Sequence, residues 1–291
     1  MSKTLYITDM DGTLLDSSSR ISERSASLLN RAIDSGALFS IATARTPATV
    51  SVLTRHVNLR LPLVVMTGVA LWHRDTNVYT DVCHFDPETV NQIREVYRHC
   101  DLPAFLYTLR DNMIYIYHSG PLSATERQFV AERAHSPYKR FLMSPDGESD
   151  IPQLIDDAVL FFAMQPTEPA QRAYGMLRDV AGVNPICYYD PTYGPGLSMS
   201  EAFPADASKA NATRKLARRC GAERIVAFGD NANDIPLLQL ADVAVAVENA
   251  IPEVKEIADI IIPDNNMDSV AEFILDDYLQ THDNRSRLLT L

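Results

Sequence analysis

Thr4-Leu5-Tyr6-Ile7-Thr8, followed at once by Asp9-Met10-Asp11-Gly12-Thr13-Leu14-Leu15, is the stretch whose reading decides the fold. The first five residues are apolar or β-favouring over too short a run for a helix, the pattern of a buried strand. Two carboxylates then fall two residues apart in a turn eased by Gly12. In open parallel sheets, ligands gather just beyond the carboxyl ends of the strands. Paired acids at such an edge repel one another unless a cation lies between them. Mg²⁺, hard and oxygen-seeking, suits that place. Taken alone, the run also fits a solvated acidic turn or part of a calcium loop.

Working outward, a helix is expected from about Ser22 to Ser35, with Ser22 as N-cap and Gly36 as the stop. A strand over Leu38 to Ala42 leads into Thr43-Ala44-Arg45, and Thr46-Pro47 opens the next helix. A third strand, Leu63 to Met66, ends at Thr67-Gly68. Alternating strands and helices predict a parallel sheet covered by helices. The alternation returns in the C-terminal third. A helix from Lys209 to Arg219 precedes a strand over Ile225 to Phe228. Gly229-Asp230, a helix over Ile235 to Leu240 and a strand over Val243 to Val247 come next.

The middle reads differently. Ala104 to Leu109 and Met113 to His118 flank Arg110-Asp111-Asn112 as a hairpin. Helices near Pro87 to His99, Ala124 to Ala134 and Pro169 to Ala181 surround it, and Ala158 to Met164 and Ile186 to Tyr189 are further strands. The expected architecture is α/β: a Rossmann-like parallel-sheet core in two parts, residues 1–82 and 191–291, with an α+β domain inserted at 83–190.

Four segments carry chemistry. Asp9 and Asp11 follow the first strand. Gly229-Asp230-Asn231-Ala232-Asn233-Asp234 follows another strand and offers more oxygen ligands, although Asn and Asp there also suit a helix cap. Lys209 opens a helix, where a fixed ammonium can balance carboxylates and phosphoryl charge, yet a lone lysine is usually a solvated surface residue. Thr43 offers a hydroxyl and a backbone N–H at a strand end. Together they supply a nucleophile, an acid, a hydroxyl, a cation and metal-binding carboxylates along one sheet edge.

These residues resemble the haloacid dehalogenase superfamily of phosphotransferases, and most closely its Cof-like, subfamily IIB sugar-phosphatase branch. The resemblance rests on Asp9-Met10-Asp11-Gly12-Thr13, Thr43 within Ile41-Ala42-Thr43-Ala44-Arg45, Lys209, and Gly229-Asp230-x-x-Asn233-Asp234. It implies a core with an inserted C2-type cap that closes over the site and sets specificity. It implies Asp9 as nucleophile, Asp11 as general acid and base, and Thr43 and Lys209 on the phosphoryl group. It implies Ala44, Arg45, Gly68 and Asn233 near the substrate, and Mg²⁺ held by Asp9, the Asp11 carbonyl and Asp230, with Asp234 in support. The family often has Thr-Gly-Arg where this chain has Thr43-Ala44-Arg45, Asn-Gly-Ala where it has Thr67-Gly68-Val69, and Lys-Gly where it has Lys209-Ala210. Arg110, His118 and Tyr188 are candidate cap contacts, though each reads more readily as an ordinary surface or core residue.

Composition sets the outer limits. The 291 residues carry a formal charge of -12. That argues against a nucleic-acid partner, which calls for a basic surface. A small phosphorylated metabolite is compatible, because a bound cation decides local charge. Cys83, Cys100, Cys187 and Cys220 show no close pairing motif and fit reduced thiols. No apolar run reaches a membrane span and the start shows no signal-peptide pattern, so a cytoplasmic enzyme is expected. A phosphosugar mutase of the same fold is the nearest alternative, ahead of a non-catalytic phosphosugar-binding module and a calcium-binding structural protein.

Overall fold

The structure, a computed structural model, describes residues 3–143, 151, 155–189 and 194–288. In chain order the elements begin with β1 (Thr4–Thr8), α1 (Glu23–Asp34), β2 (Leu38–Ile41), α2 (Pro47–Leu53), β3 (Leu63–Val65), β4 (Ala70–His73) and β5 (Val78–Thr80). Then come α3 (Pro87–His99), β6 (Phe105–Arg110), β7 (Met113–His118), α4 (Ala124–Arg133), β8 (Lys139–Phe141), β9 (Ala158–Pro166), α5 (Thr167–Leu177), β10 (Val183–Tyr189) and β11 (Leu197–Pro204). The chain ends with α6 (Lys209–Cys220), β12 (Arg224–Gly229), α7 (Ile235–Leu240), β13 (Val243–Val247), α8 (Pro252–Ile257), β14 (Ile260–Ile262) and α9 (Ser269–Leu288).

These elements form two compact units, Val82–Ala207 and the segments on either side of it. The flanking unit holds a five-stranded parallel sheet in the order β14-β13-β12-β1-β2. β1 lies between β2 and β12, and all five of its residues are buried, as the apolar run predicts. Register brings three strand ends level: Thr8 pairs with Phe228 on one side and with Ile41 on the other. The segments after Thr8, Ile41 and Phe228 therefore leave the sheet at one edge. Ser22 caps α1 by accepting the Ser25 N–H, and Ser208 caps α6 by accepting that of Asn211.

The third expected strand differs from its reading. β3 pairs antiparallel with β4, in a three-stranded sheet β3-β4-β5, and meets the parallel sheet's edge through a parallel bridge from Val64 to Ala42. Three-residue strands show no readable period, and pairing partners are non-local.

The Val82–Ala207 unit is a six-stranded sheet, β10-β11-β9-β6-β7-β8, antiparallel except for the β7–β8 pair. Its β6–β7 hairpin turns at Asp111 and Asn112, with φ of 51° and 57°. Those residue types tolerate the left-handed conformation that two-residue hairpin turns require. Residues of α3 and α5, such as Ile93, Tyr97, Ala173 and Leu177, share one buried cluster with Leu106, Phe161 and Ala202 of the sheet. The Phe129 ring of α4 packs at a tilt against Phe105 and Phe162. The second boundary falls after Ala207, beyond the expected one; 190 itself lies outside the described residues. β11 is the reason, since it pairs with both β9 and β10 and so belongs to this sheet. Among the described residues, no helix is long and apolar enough to cross a membrane.

Candidate active site

Asp9 is the first residue past β1, held there by its N–H to the Phe228 carbonyl at 3.0 Å. Beyond it the chain makes one wide turn over Met10–Leu14, closed by the Leu15 N–H on the Met10 carbonyl at 2.8 Å. Gly12 has φ +74°, and a Cβ there would sit 2.5 Å from Asp230 Oδ2. A side chain at that position would therefore be both strained and in collision with a carboxylate. Thr13 donates from Oγ1 to Asp230 Oδ1 at 2.8 Å, tying the turn to the end of β12.

Lys209 is the first residue of α6, and its ammonium reaches Asp9 Oδ1 at 2.6 Å and Asp234 Oδ1 at 2.7 Å. Asp234 is fully buried, Lys209 is 2% exposed and Asp9 5%. The other Asp234 oxygen accepts the N–H groups of Asp230 and Asn231 at 3.1 and 3.2 Å, which fixes the loop after β12. One carboxylate oxygen from each of Asp9, Asp230 and Asp234 lies within 4.8 Å of the others.

The cluster holds more negative than positive charge. Burial pushes the Asp9 carboxyl up to about 7; Lys209 pulls it down and Asp234 pushes it further up. Burial also raises Asp230, to about 6, against the hydrogen bond from Thr13. For Lys209, burial alone would favour the neutral amine, but the two carboxylates outweigh it and the ammonium is held charged. Three carboxylates around one ammonium leave surplus negative charge out of water, which either a proton or a cation can relieve. The donors are all hard oxygens, as Mg²⁺ prefers, so the residues present fit that ion.

Of the residues expected at the site, Asp9, Lys209, Asp230 and Asp234 meet. Thr43 is fully buried, with its backbone N–H on Val64, its carbonyl accepting from Thr67 and its hydroxyl accepting from the Arg45 N–H at 3.1 Å. Gly68 is buried at φ +95°, and a Cβ there would lie 2.2 Å from the backbone oxygen of Ser208, the cap of the Lys209 helix. Met66 and Thr67 before it also have positive φ, 50° and 57°. A buried β-branched residue in that region is strained by about 1–2 kcal/mol.

The Asp11 carboxylate is not in the cluster. Arg45 grips it with Nε at 2.8 Å and Nη2 at 2.6 Å, and the Asp11 side chain is 51% exposed. Only the backbone of Asp11 stays at the turn. Asn233 and Ala44 are exposed. His118 is fully buried, with Nδ1 near the Gly120 carbonyl at 2.5 Å and Nε2 3.5 Å from Glu126, so it is a core residue of its unit rather than a surface contact. Arg110 packs on the Tyr115 ring, while Tyr188 is 44% exposed. Sequence reading missed two side chains at the nucleophile turn: Asn249 donates to the Gly12 carbonyl and Asn265 to that of Leu15, both at 2.7 Å. Neither belongs to a motif that would single it out.

Comparison with known proteins places this geometry. The chain is 26% identical over 273 residues to the 5-amino-6-(5-phospho-D-ribitylamino)uracil phosphatase YitU of Bacillus subtilis, covering 93% of this chain and 96% of that protein. A 52-residue stretch, 18% of this chain and 19% of the other, is 54% identical to the pyridoxal phosphate phosphatase YbhA of Escherichia coli. Among solved structures, a haloacid dehalogenase-like hydrolase from Bacteroides thetaiotaomicron superposes with a TM-score of 0.72 at 22% identity, over 94% of this chain and 99% of that one. TM0651 from Thermotoga maritima gives 0.73 at 20%, over 95% and 97%. The sequence profile of the haloacid dehalogenase-like hydrolases matches residues 6–274, a span that contains every cluster residue, and the chain belongs to that family.

Proposed function

We propose that this hydrolase is a Mg²⁺-dependent phosphatase of small phosphomonoesters, with phosphorylated sugars and related polyol phosphates as its substrate class. The observation that carries the reading is the buried, net-negative cluster of Asp9, Asp230 and Asp234 on the single ammonium of Lys209. Asp9 attacks phosphorus, the bond from phosphorus to the ester oxygen breaks, and an aspartyl phosphate forms. Asp11 gives a proton to the leaving alkoxide. It then takes one from the water whose oxygen attacks phosphorus, which frees Asp9 and releases phosphate. The Arg45–Asp11 ion pair must open for this, and Arg45 then becomes available to a phosphoryl oxygen.

Asp9, Asp230 and the Asp11 carbonyl would hold Mg²⁺, with Asp234 supporting them, and the ion supplies charge shielding between the two anions that must meet. Lys209, the Thr43 hydroxyl, the Ala44 N–H, Gly68 and Asn233 hold the transferring group. The activities that YitU and YbhA are named for, on a phosphoribityl compound and on pyridoxal phosphate, support a small phosphate ester. Four cysteines read as reduced thiols suit a reducing cytoplasm.

A panel of phosphate esters assayed for inorganic phosphate tests the reading. Release is expected with Mg²⁺, none with EDTA, and none from Asp9→Asn, which keeps shape but lacks the nucleophile's charge. Metal-independent release, or an Asp9→Asn rate within about tenfold of wild type, contradicts it. Transfer to a sugar in place of water would indicate a mutase.

A further inference from the structure

The turn that carries Asp11 and Thr13 has little support of its own. One hydrogen bond closes it, Asp11 and Gly12 have non-helical dihedrals, and Gly12 is left-handed. Two asparagines from two distant connections support it from outside. Asn249, after β13, donates from Nδ2 to the Gly12 carbonyl at 2.7 Å. Asn265, between β14 and α9, donates from Nδ2 to the Leu15 carbonyl at 2.7 Å. The two are joined, because the Asn265 N–H donates to Asn249 Oδ1 at 3.0 Å. Asn266 extends the row, its Oδ1 accepting the Ser17 N–H at 3.0 Å.

We propose that Asn249 and Asn265 form a bracket of positioning residues that fixes the peptide planes from Asp11 to Leu15 for metal binding and phosphoryl transfer. The proposal rests on the function proposed above and adds residues to that site. The Gly12 carbonyl shares a peptide with the Thr13 nitrogen, and Thr13 is the residue that orients Asp230. Rotation of that peptide would move the Thr13 hydroxyl away from Asp230 and turn the preceding Asp11 carbonyl. An amide is needed at 249: its NH₂ serves Gly12 while its oxygen serves Asn265, and no hydroxyl or carboxylate supplies both at that reach. Neither asparagine touches the reacting atoms.

The test uses the full chain with Asn249→Ala, Asn265→Ala and the double variant. Mg²⁺ binding is read by calorimetry, turnover with p-nitrophenyl phosphate, and amide exchange at Gly12 to Leu15. Each single variant removes one ordinary hydrogen bond to the turn and should weaken Mg²⁺ about three- to tenfold. It should lower kcat about tenfold with KM within about twofold. The double variant should lose less than the product of the singles, because Asn249 holds the backbone of Asn265 and its loss already loosens the Asn265 contact with Leu15. Exchange at Thr13 and Leu15 should quicken in all three. Mg²⁺ affinity, kcat and exchange all within about twofold of wild type in the double variant would overturn the bracket. So would an activity loss wholly explained by a lower unfolding midpoint. A wild-type protein that binds no Mg²⁺ and releases no phosphate would defeat the proposed function; exchange at Gly12 to Leu15 then decides the bracket, faster exchange supporting it and unchanged exchange refuting it.

Discussion

Replacing Lys209 by Met keeps the length of the side chain and removes the ammonium that the buried Asp9 and Asp234 share. In the wild-type protein that ammonium sits 2.6 and 2.7 Å from the two carboxylates, all three groups being at most 5% exposed. Removing one partner of a buried ion pair typically costs about 3–5 kcal/mol, because the orphaned charge stays out of water. The cost should depend on pH. Asp9 is already raised to about 7 with Lys209 present, so the folded state binds its proton more tightly than the unfolded state does. Stability of the metal-free protein therefore falls as pH rises from about 4 towards 7. Without Lys209 the folded Asp9 carboxyl rises further and the window extends upward. The variant should thus be closer to wild type near about pH 5, where Asp9 is neutral in both, than near about pH 9.

Trp72 makes the assay specific. It is the chain's single tryptophan, fully buried on β4 in the same unit as the cluster. Urea melts of metal-free protein followed by its fluorescence should show a midpoint lower by about 1–5 M, taking a urea dependence of about 1–3 kcal/mol/M. An unchanged midpoint at alkaline pH, or a shift independent of pH, would refute the idea that Lys209 neutralises a buried carboxylate cluster.

Other outcomes turn on single residues. Mg²⁺ affinity should weaken as pH falls through about 7 and then about 6, because Asp9 and Asp230 must shed protons to bind it; calorimetry in buffers of different ionisation enthalpy should register proton release. Thr67→Asn should stabilise the protein by about 0.5–1 kcal/mol, since Asn tolerates the left-handed region in which Thr67 sits at φ 57°; a lower Trp72 midpoint would contradict this. Lys139, 4% exposed beside Arg133, has its ammonium pushed down to about 8 by burial. Lys139→Met should therefore raise stability by up to about 3 kcal/mol near neutral pH. Below about 8 both states of the wild type are charged and the cost is full, and between about 8 and 10.5 the unfolded state holds the extra proton. The variant's advantage in far-ultraviolet melts should shrink across that interval, and a constant difference would contradict the reading.

Much of the core was legible because its signals are local. The run Thr4 to Thr8 is apolar enough to demand burial, Ser22 is a strong cap, and Gly12 and Asp230 lie next to strand ends whose register the parallel sheet fixes. What escaped was non-local or weakly patterned. β11 reads as Leu-Ser-Met-Ser-Glu-Ala-Phe-Pro, with no β-branched residue, and its serines are buried because β9 and β10 flank it. β4 and β5 are too short for a period to show. The fork of Arg45 on Asp11 and the reach of Asn249 to Gly12 each join residues far apart in sequence, through side chains with no characteristic spacing. Sequence placed Asp11 near the chemistry by its neighbour Asp9, whereas the fold turns its carboxylate towards Arg45.

Asp9 as the nucleophile is the central claim. Wild-type protein quenched in acid during turnover of p-nitrophenyl phosphate with Mg²⁺, then digested and mapped by mass, should carry a phosphoryl adduct on the peptide containing Asp9, and should lose it when EDTA is added before substrate. Sustained turnover with that peptide unmodified, or with the adduct on another residue, would contradict that assignment.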